Sequence, residues 1–205
     1  MALGLYSSKQ LLDSIYIQEA DPATTAGVVG PGSLWLRLST SKLSVRDTDD
    51  AAWIPIGSTT GVLIVTHEEA QNVGGGNLTA GAWNTVTINT VRTNTISGAS
   101  LAANRITLPA GTYEIDALCQ ALDTNRNQGR LFNITDNAVV LIGSSAIGVV
   151  TPGHGESAIR GQFTIAGTKV FEIQQNCQTT SATNGQGIAA NLTTEVYLQV
   201  TIRQA

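Results

Sequence analysis

The sequence predicts an all-β protein: an antiparallel jelly-roll sandwich preceded by an extended N-terminal arm and a small β-meander. Three observations carry that expectation. Beyond residue 58, short segments of alternating apolar residues recur between Gly, Asn and Pro turn signals, giving eight or more strands and no convincing helix. The composition favours strands and turns, with 26 Thr, 13 Asn and 21 Gly among 205 residues. Charged residues make up only 13% of the chain, about half the usual share, so the polar surface must come from Thr, Asn, Gln and Ser.

The chain divides into three parts. Residues 1–32 place Leu11, Leu12, Ile15 and Ile17 at a spacing that fits either a short helix or a strand, then run into the linker "DPATTAGVVGPG". An arm of this kind gains order from a partner, because alone it buries too little apolar surface. Residues 33–60 form a second part. Leu34, Leu36 and Leu38 share one strand phase, and Trp35 and Arg37 take the other. A "STSK" turn leads to Leu43 and Val45, and a "DTDD" turn leads to Trp53, Ile54 and Ile56, which predicts a three-stranded meander.

Residues 61–205 are the predicted head. "GVLIVT" opens it, and "NVGGGNLTAG" is a loop. "RITLPAGTYEIDALCQAL" reads as strand, tight turn and strand, with Pro109 and Gly111 at the turn and Tyr113 and Ile115 entering the core. "GRLFNITD" and "NAVVLIGSSA" form a hairpin pair. "AIRGQFTIAGTKVFEIQQNC" repeats the strand–turn–strand layout, and "TEVYLQVTIRQA" alternates at Val196, Leu198, Val200 and Ile202. Leu118 and Leu122 lie opposite in phase to Ile115, Ala117 and Cys119. A second apolar face on one strand predicts contact with another subunit.

Two resemblances follow from these residues. The pattern G-x-LW…ST-x-KL-x-VR…W-x-x-IG, over about 25 residues, resembles small modules of bacteriophage fibre and virion proteins. The stretches "LPAGTYEI" and "FTIAGTKVFEI", with the terminal apolar strand, resemble the tumour-necrosis-factor-like jelly roll shared by complement-type globular heads. That second resemblance covers roughly residues 78–205. It implies a homotrimer whose last strand lies near the threefold axis, with Tyr113, Tyr197, Val200 and Ile202 at the interface.

The candidate chemistry is sparse. Glu114 and Asp116, at i and i+2 of one strand, are neighbours at about 6.5–7 Å. Such a pair can hydrolyse glycosides, but only with a cleft and one carboxyl held neutral by an apolar pocket. No segment marks a cleft, so the expected role is an outward face paired with arginine; Arg105, Arg126 and Arg130 are the local candidates. His67 in "THEEA" lacks the second histidine of H-E-x-x-H. Cys119 and Cys177 read as buried free thiols, since a disulfide would need their Cα atoms within reach. Neither a metal nor a cofactor is expected. The long polar loops offer Trp83, Asn125, His154 and Asn184 as residues that could meet a receptor.

The formal net charge is −4, and the acidic excess lies within residues 1–69. The absence of any basic run argues against nucleic acid as a partner, and no apolar stretch is long enough for membrane insertion. The start "MALGLYSSKQLLD" has no secretory pattern, which predicts synthesis in a host cytoplasm. Together with the resemblances, these features predict a non-enzymatic virion protein. The first expectation is a trimeric capsid decoration (cement) protein that grips the major capsid protein or other virion proteins through Leu11, Leu12, Ile15, Trp35 and Trp53. The alternative is a short tail or head fibre that binds a host surface glycan through its head loops. The absence of heptads or a Gly-x-y shaft favours the first.

Overall fold

The computed structural model describes residues 61–148 and 153–205 throughout, and four short strands before them. The chain forms two units, residues 1–59 and 60–205. In the first, β1 (Ile15–Ile17), β2 (Leu34–Arg37), β3 (Lys42–Arg46) and β4 (Trp53–Ile56) form one sheet in that order. β2, β3 and β4 are the antiparallel meander expected from the sequence, with Leu36 opposite Leu43 and Val45 opposite Ile54. The segment expected to be an arm adds a strand: β1 pairs parallel with β2, Tyr16 opposite Trp35. Of the two readings open for that segment, strand holds over these three residues, where β-branched Ile15 and Ile17 share one phase.

The second unit is built from β5 (Val62–Glu69), β6 (Asn84–Thr85), β7 (Thr90–Asn94), β8 (Ser100–Ala102), β9 (Arg105–Leu108), β10 (Gly111–Leu122), β11 (Asn125–Asn133), β12 (Ala138–Gly148), β13 (His154–Ile165), β14 (Lys169–Cys177) and β15 (Glu195–Gln204). One sheet runs β13–β10–β15–β5–β7 and the other β12–β11–β14–β9–β8, with β6 paired to β14. Every pairing in the two sheets is antiparallel. From β9 onward the chain crosses from one sheet to the other at almost every connection; only the β11–β12 hairpin stays within a sheet. That is a jelly roll, as the sequence predicts.

The core lies between the sheets. β10 supplies Tyr113, Ile115, Ala117 and Cys119 from one face, all buried, while Glu114 and Asp116 on the other are exposed. Leu131 on β11, Ile159 on β13, Phe171 and Ile173 on β14, and Val200 and Ile202 on β15 fill the same cluster. Rings bridge the two sheets: Tyr113 lies 5.7 Å from Phe163 of its own sheet, and Phe163 lies 5.5 Å from Phe171 of the other. Both cysteines are free and buried, and desolvation pushes the Cys119 thiol up to about 12.

The β9–β10 corner explains the "PAGTY" sequence. The Tyr113 ring folds back so that its hydroxyl donates to Pro109 O at 2.9 Å. A Cβ on residue 111 would stand 3.0 Å from that hydroxyl oxygen and 3.1 Å from Cζ, so glycine is what lets the ring lie there. The expected outcome of Tyr113→Phe is a loss of about 1 kcal/mol, the hydrogen bond alone. Phe171→Ala, which opens the inter-sheet ring cluster, should cost about 3–5 kcal/mol in denaturant unfolding.

Candidate functional site

The outer face of the second sheet carries a groove of about 550 Å³ across β12, β11 and β14. Register places its walls. Ile147 on β12 stands opposite Arg126 on β11, Ser145 opposite Gln128, and Gln128 in turn opposite Asn176 on β14. Alternation sends Arg126 and Gln128 outward while Asn127 and Gly129 point into the sandwich. Trp83 enters from the side: Asn84 of β6 pairs with Gln175, which brings the preceding residue to the groove. Gln178 completes the wall beyond β14.

Trp83 is held from beneath. The Arg130 guanidinium lies 3.9 Å from the indole centroid and 4.6 Å from the Phe132 centroid. Arg130 Nε and Nη2 both donate to Gln174 Oε1, at 2.9 and 2.7 Å. Gln174 Nε2 donates to Glu172 Oε2 at 2.8 Å, and that carboxylate also accepts from Thr85 Oγ1 and from Arg105 Nε, each at 2.9 Å. Glu172 and Gln174 face outward yet are buried. Burial alone would raise the Glu172 carboxyl, but the bonds from Gln174, Arg105 and Thr85 outweigh it and hold the group below the usual carboxylate range. A connected polar network thus fixes a half-exposed tryptophan. By contrast, Arg126, Asn176 and Gln178 have no side-chain hydrogen bond or ion pair among the described residues. Among the described residues, the groove lining contains no Asp or Glu.

The sequence-expected residues fall in several places. Trp83 lines the groove, and Asn125, in the left-handed region at φ 59°, immediately precedes Arg126. His154 lies elsewhere, on β13, with Nε2 3.1 Å from Glu156 Oε1. Asn184 bridges to Gly76. Trp35 is half-buried within β2, Ile15 and Trp53 fall in β1 and β4, and Leu11 and Leu12 lie outside the described residues. The four residues expected at a subunit interface are elsewhere: Tyr113, Tyr197, Val200 and Ile202 are at most 3% exposed, inside the protomer. The sandwich uses the apolar phase of β15 for its own core and turns Gln199 and Arg203 outward. Leu122 is likewise buried within the protomer, its backbone N–H donating to Gly185 O.

Glu114 and Asp116 are outward, as expected, but the arginines on the neighbouring strands differ from the local candidates. Asp116 accepts from Arg160 Nε on β13 at 3.1 Å, and Arg203 of β15 stands opposite Glu114. Arg105 and Arg130 are engaged with Glu172 and Gln174 instead. Antiparallel pairing chose the partners, across 44 residues for Asp116. Sequence reading placed Arg126 only as a candidate partner of Glu114 and Asp116 and did not single out Gln128, Asn176 or Gln178, which sit on or beside regular strands; the available signal was the polar outward phase of "RNQGR".

No family model matches the chain, and no curated protein matches it. Among solved structures, the fold is similar to murine APRIL at pH 8.5 (TM-score 0.48, 9% identity, 72% of this chain and 100% of that one). It is also similar to the globular domain of zebrafish complement 1qA protein (TM-score 0.44, 11% identity, 71% and 97%). The fold class rests on strand order and register.

Acid should destabilise the head in two stages. Burial holds His67 below its ordinary 6.5, although Glu69, 3.3 Å away, pulls upward. Backbone N–H groups of Ala190 and Asn191 hold Glu195 below the ordinary 4.5; Glu172 is also depressed. Each group binds fewer protons folded than unfolded, so its contribution is complete above the unfolded value and lost as pH falls through and below it. Thermal melts should show a first decline below about pH 6.5 that His67→Phe removes, and a second below about 4.5 that it leaves in place. A first decline unchanged in His67→Phe would assign it to another group.

Proposed function

We propose that the protein is a non-enzymatic virion component whose jelly-roll head assembles as a homotrimer. The observation that carries this reading is a group of exposed apolar side chains where the first and last strands of the head meet. Val73 is 44% exposed, Ile188 57%, Leu192 83% and Val196 44%. They are tied to one region: Tyr197 Oη donates to Val73 O, Gln71 Nε2 to Asn191 O, and Gly75 N to Gly187 O. Apolar groups left this far in water are stabilised by covering them, and symmetric self-association is the common means.

In this reading the protein is a capsid decoration protein, with the N-terminal unit attaching to the shell and the head projecting as a knob. Three weak anchors on one trimer reinforce each other through effective concentration. The exposure of Glu114 and Asp116, and the pairing of Asp116 with Arg160, support a non-catalytic role, since neither is set in an apolar pocket. A second reading, a fibre that binds host surface glycan, is favoured by one specific observation: the groove around Trp83.

Sedimentation velocity of the full chain should give three times the 21.4 kDa protomer mass. Ile188→Asp with Leu192→Asp should shift it to monomer without loss of fold; a monomeric wild type would reject the trimer. Removing residues 1–32 should abolish binding to capsids stripped of the protein while leaving the trimer intact, and retained binding would reject attachment through that segment.

A further inference from the structure

We propose that the groove over the second sheet is a binding site for an acidic saccharide, a sugar chain bearing a carboxylate. The inference rests on the second reading above and assigns it a site and a ligand class.

Four features of the lining point to this ligand. The first is the tryptophan. Trp83 is 37% exposed, yet it lies against Arg130, which also stacks on Phe132 and is anchored through the buried Gln174 and Glu172 to Arg105. A rigid, half-exposed indole offers a flat, electron-rich face, which attracts the weakly positive C–H face of a pyranose ring. Preorganisation of this kind lowers the entropy lost on binding.

The second feature is the set of planar amides. Gln128, Asn176 and Gln178 line the groove, and the last two make no side-chain bond within the protein among the described residues. Each amide offers a donor and an acceptor side by side, which suits vicinal hydroxyls. Ser145 adds a hydroxyl, and Gln128 Nε2 is partly engaged with Gly143 O at 2.9 Å.

The third feature is charge. Arg126 is exposed, lines the groove, and has no ion pair or side-chain hydrogen bond among the described residues. Among the described residues, the lining contains no carboxylate to neutralise it. One unpaired guanidinium in an acid-free groove selects one carboxylate and disfavours cations.

The fourth is size. A volume of about 550 Å³ falls within the usual span of small-ligand sites, about 300–1,000 Å³, and the groove is open to solvent. Ile147, 64% exposed and beside Arg126 on the neighbouring strand β12, offers the ring a second apolar contact.

The test uses the intact protein on an array of acidic and neutral oligosaccharides, followed by calorimetry with the best acidic ligand and its carboxyl-reduced counterpart. Binding should concentrate on carboxylated sugars. Carboxyl reduction should weaken it about ten-fold or more, the effect of one charge-assisted contact. Arg126→Gln should bring the acidic and reduced ligands to equal affinity, and Trp83→Ala should weaken both about ten-fold or more. Trp83→Phe, which keeps a ring over Arg130, should retain part of the affinity and guards against a folding defect. Absence of binding to every sugar, or binding indifferent to both Trp83→Ala and Arg126→Gln, would overturn the proposal. So would equal wild-type affinity for the acidic and reduced forms.

Adsorption to host cells, measured with the same variants, separates the two levels of the argument. Cell binding that survives Trp83→Ala and Arg126→Gln would leave the receptor reading standing and remove this groove from it. Saccharide binding with no adsorption to cells would keep the groove and remove the receptor role.

Discussion

The phenol of Tyr113 is the constraint on which the head depends. It closes the β9–β10 corner against Pro109 and begins the inward phase of the longest central strand. It also starts the ring contact that runs through Phe163 to Phe171 and joins the two sheets. Once Tyr113 points inward, strand periodicity obliges Ile115, Ala117 and Cys119 to follow and Glu114 and Asp116 to face out. A one-residue slip would bury both carboxylates and expose the tyrosine. The register across β10, with Glu114 between Gln162 and Arg203, is therefore set by burial on one side and charge pairing on the other.

The same logic explains what the two outer faces can do. On the first sheet, Asp116 and Arg160 satisfy one another and Glu68 is paired with Arg92. Depressed carboxylates here serve folding: Thr66 and Arg92 hold Glu68 below its ordinary range against an opposing effect of burial. On the second sheet the long side chains divide into two sets. Arg105, Glu172, Gln174 and Arg130 consume each other's hydrogen bonds, whereas Arg126, Asn176 and Gln178 make no side-chain bond among the described residues. The first set makes a rigid floor, and the second stands around it. Ligand chemistry follows from which polar groups the fold leaves unused.

Much of the fold was legible in the sequence because a sandwich strand has a period of two. Tyr113 and Ile115 against Glu114 and Asp116 needed only alternation and a turn at Pro109. What alternation cannot give is the partner on the next strand, so Arg160 and Arg203 were invisible beside the nearer Arg105, Arg126 and Arg130. Nor does it say whether an apolar phase faces the protomer's own core or another subunit; Val200 and Ile202 belong to the first case. The groove was half-visible: Trp83 is conspicuous in a polar loop, but the guanidinium beneath it comes from 47 residues further along the chain.

The edges of the sandwich bear on how closely such heads can crowd without aggregating. β12 and β13, the end strands of the two sheets on one side, are tied together: Ser157 Oγ donates to Ser144 O at 2.6 Å, and Ala158 N to Ser144 Oγ at 2.9 Å. The opposite ends of the two sheets are β7 and β8, strands of five and three residues, one carrying Arg92. Short, polar or closed edges give a neighbouring chain little backbone to template on, which guards against strand-to-strand fibril growth. A protein with few surface charges has weak electrostatic repulsion to keep copies apart at high local concentration. In this head, edge geometry supplies a safeguard against aggregation that a sparsely charged surface does not.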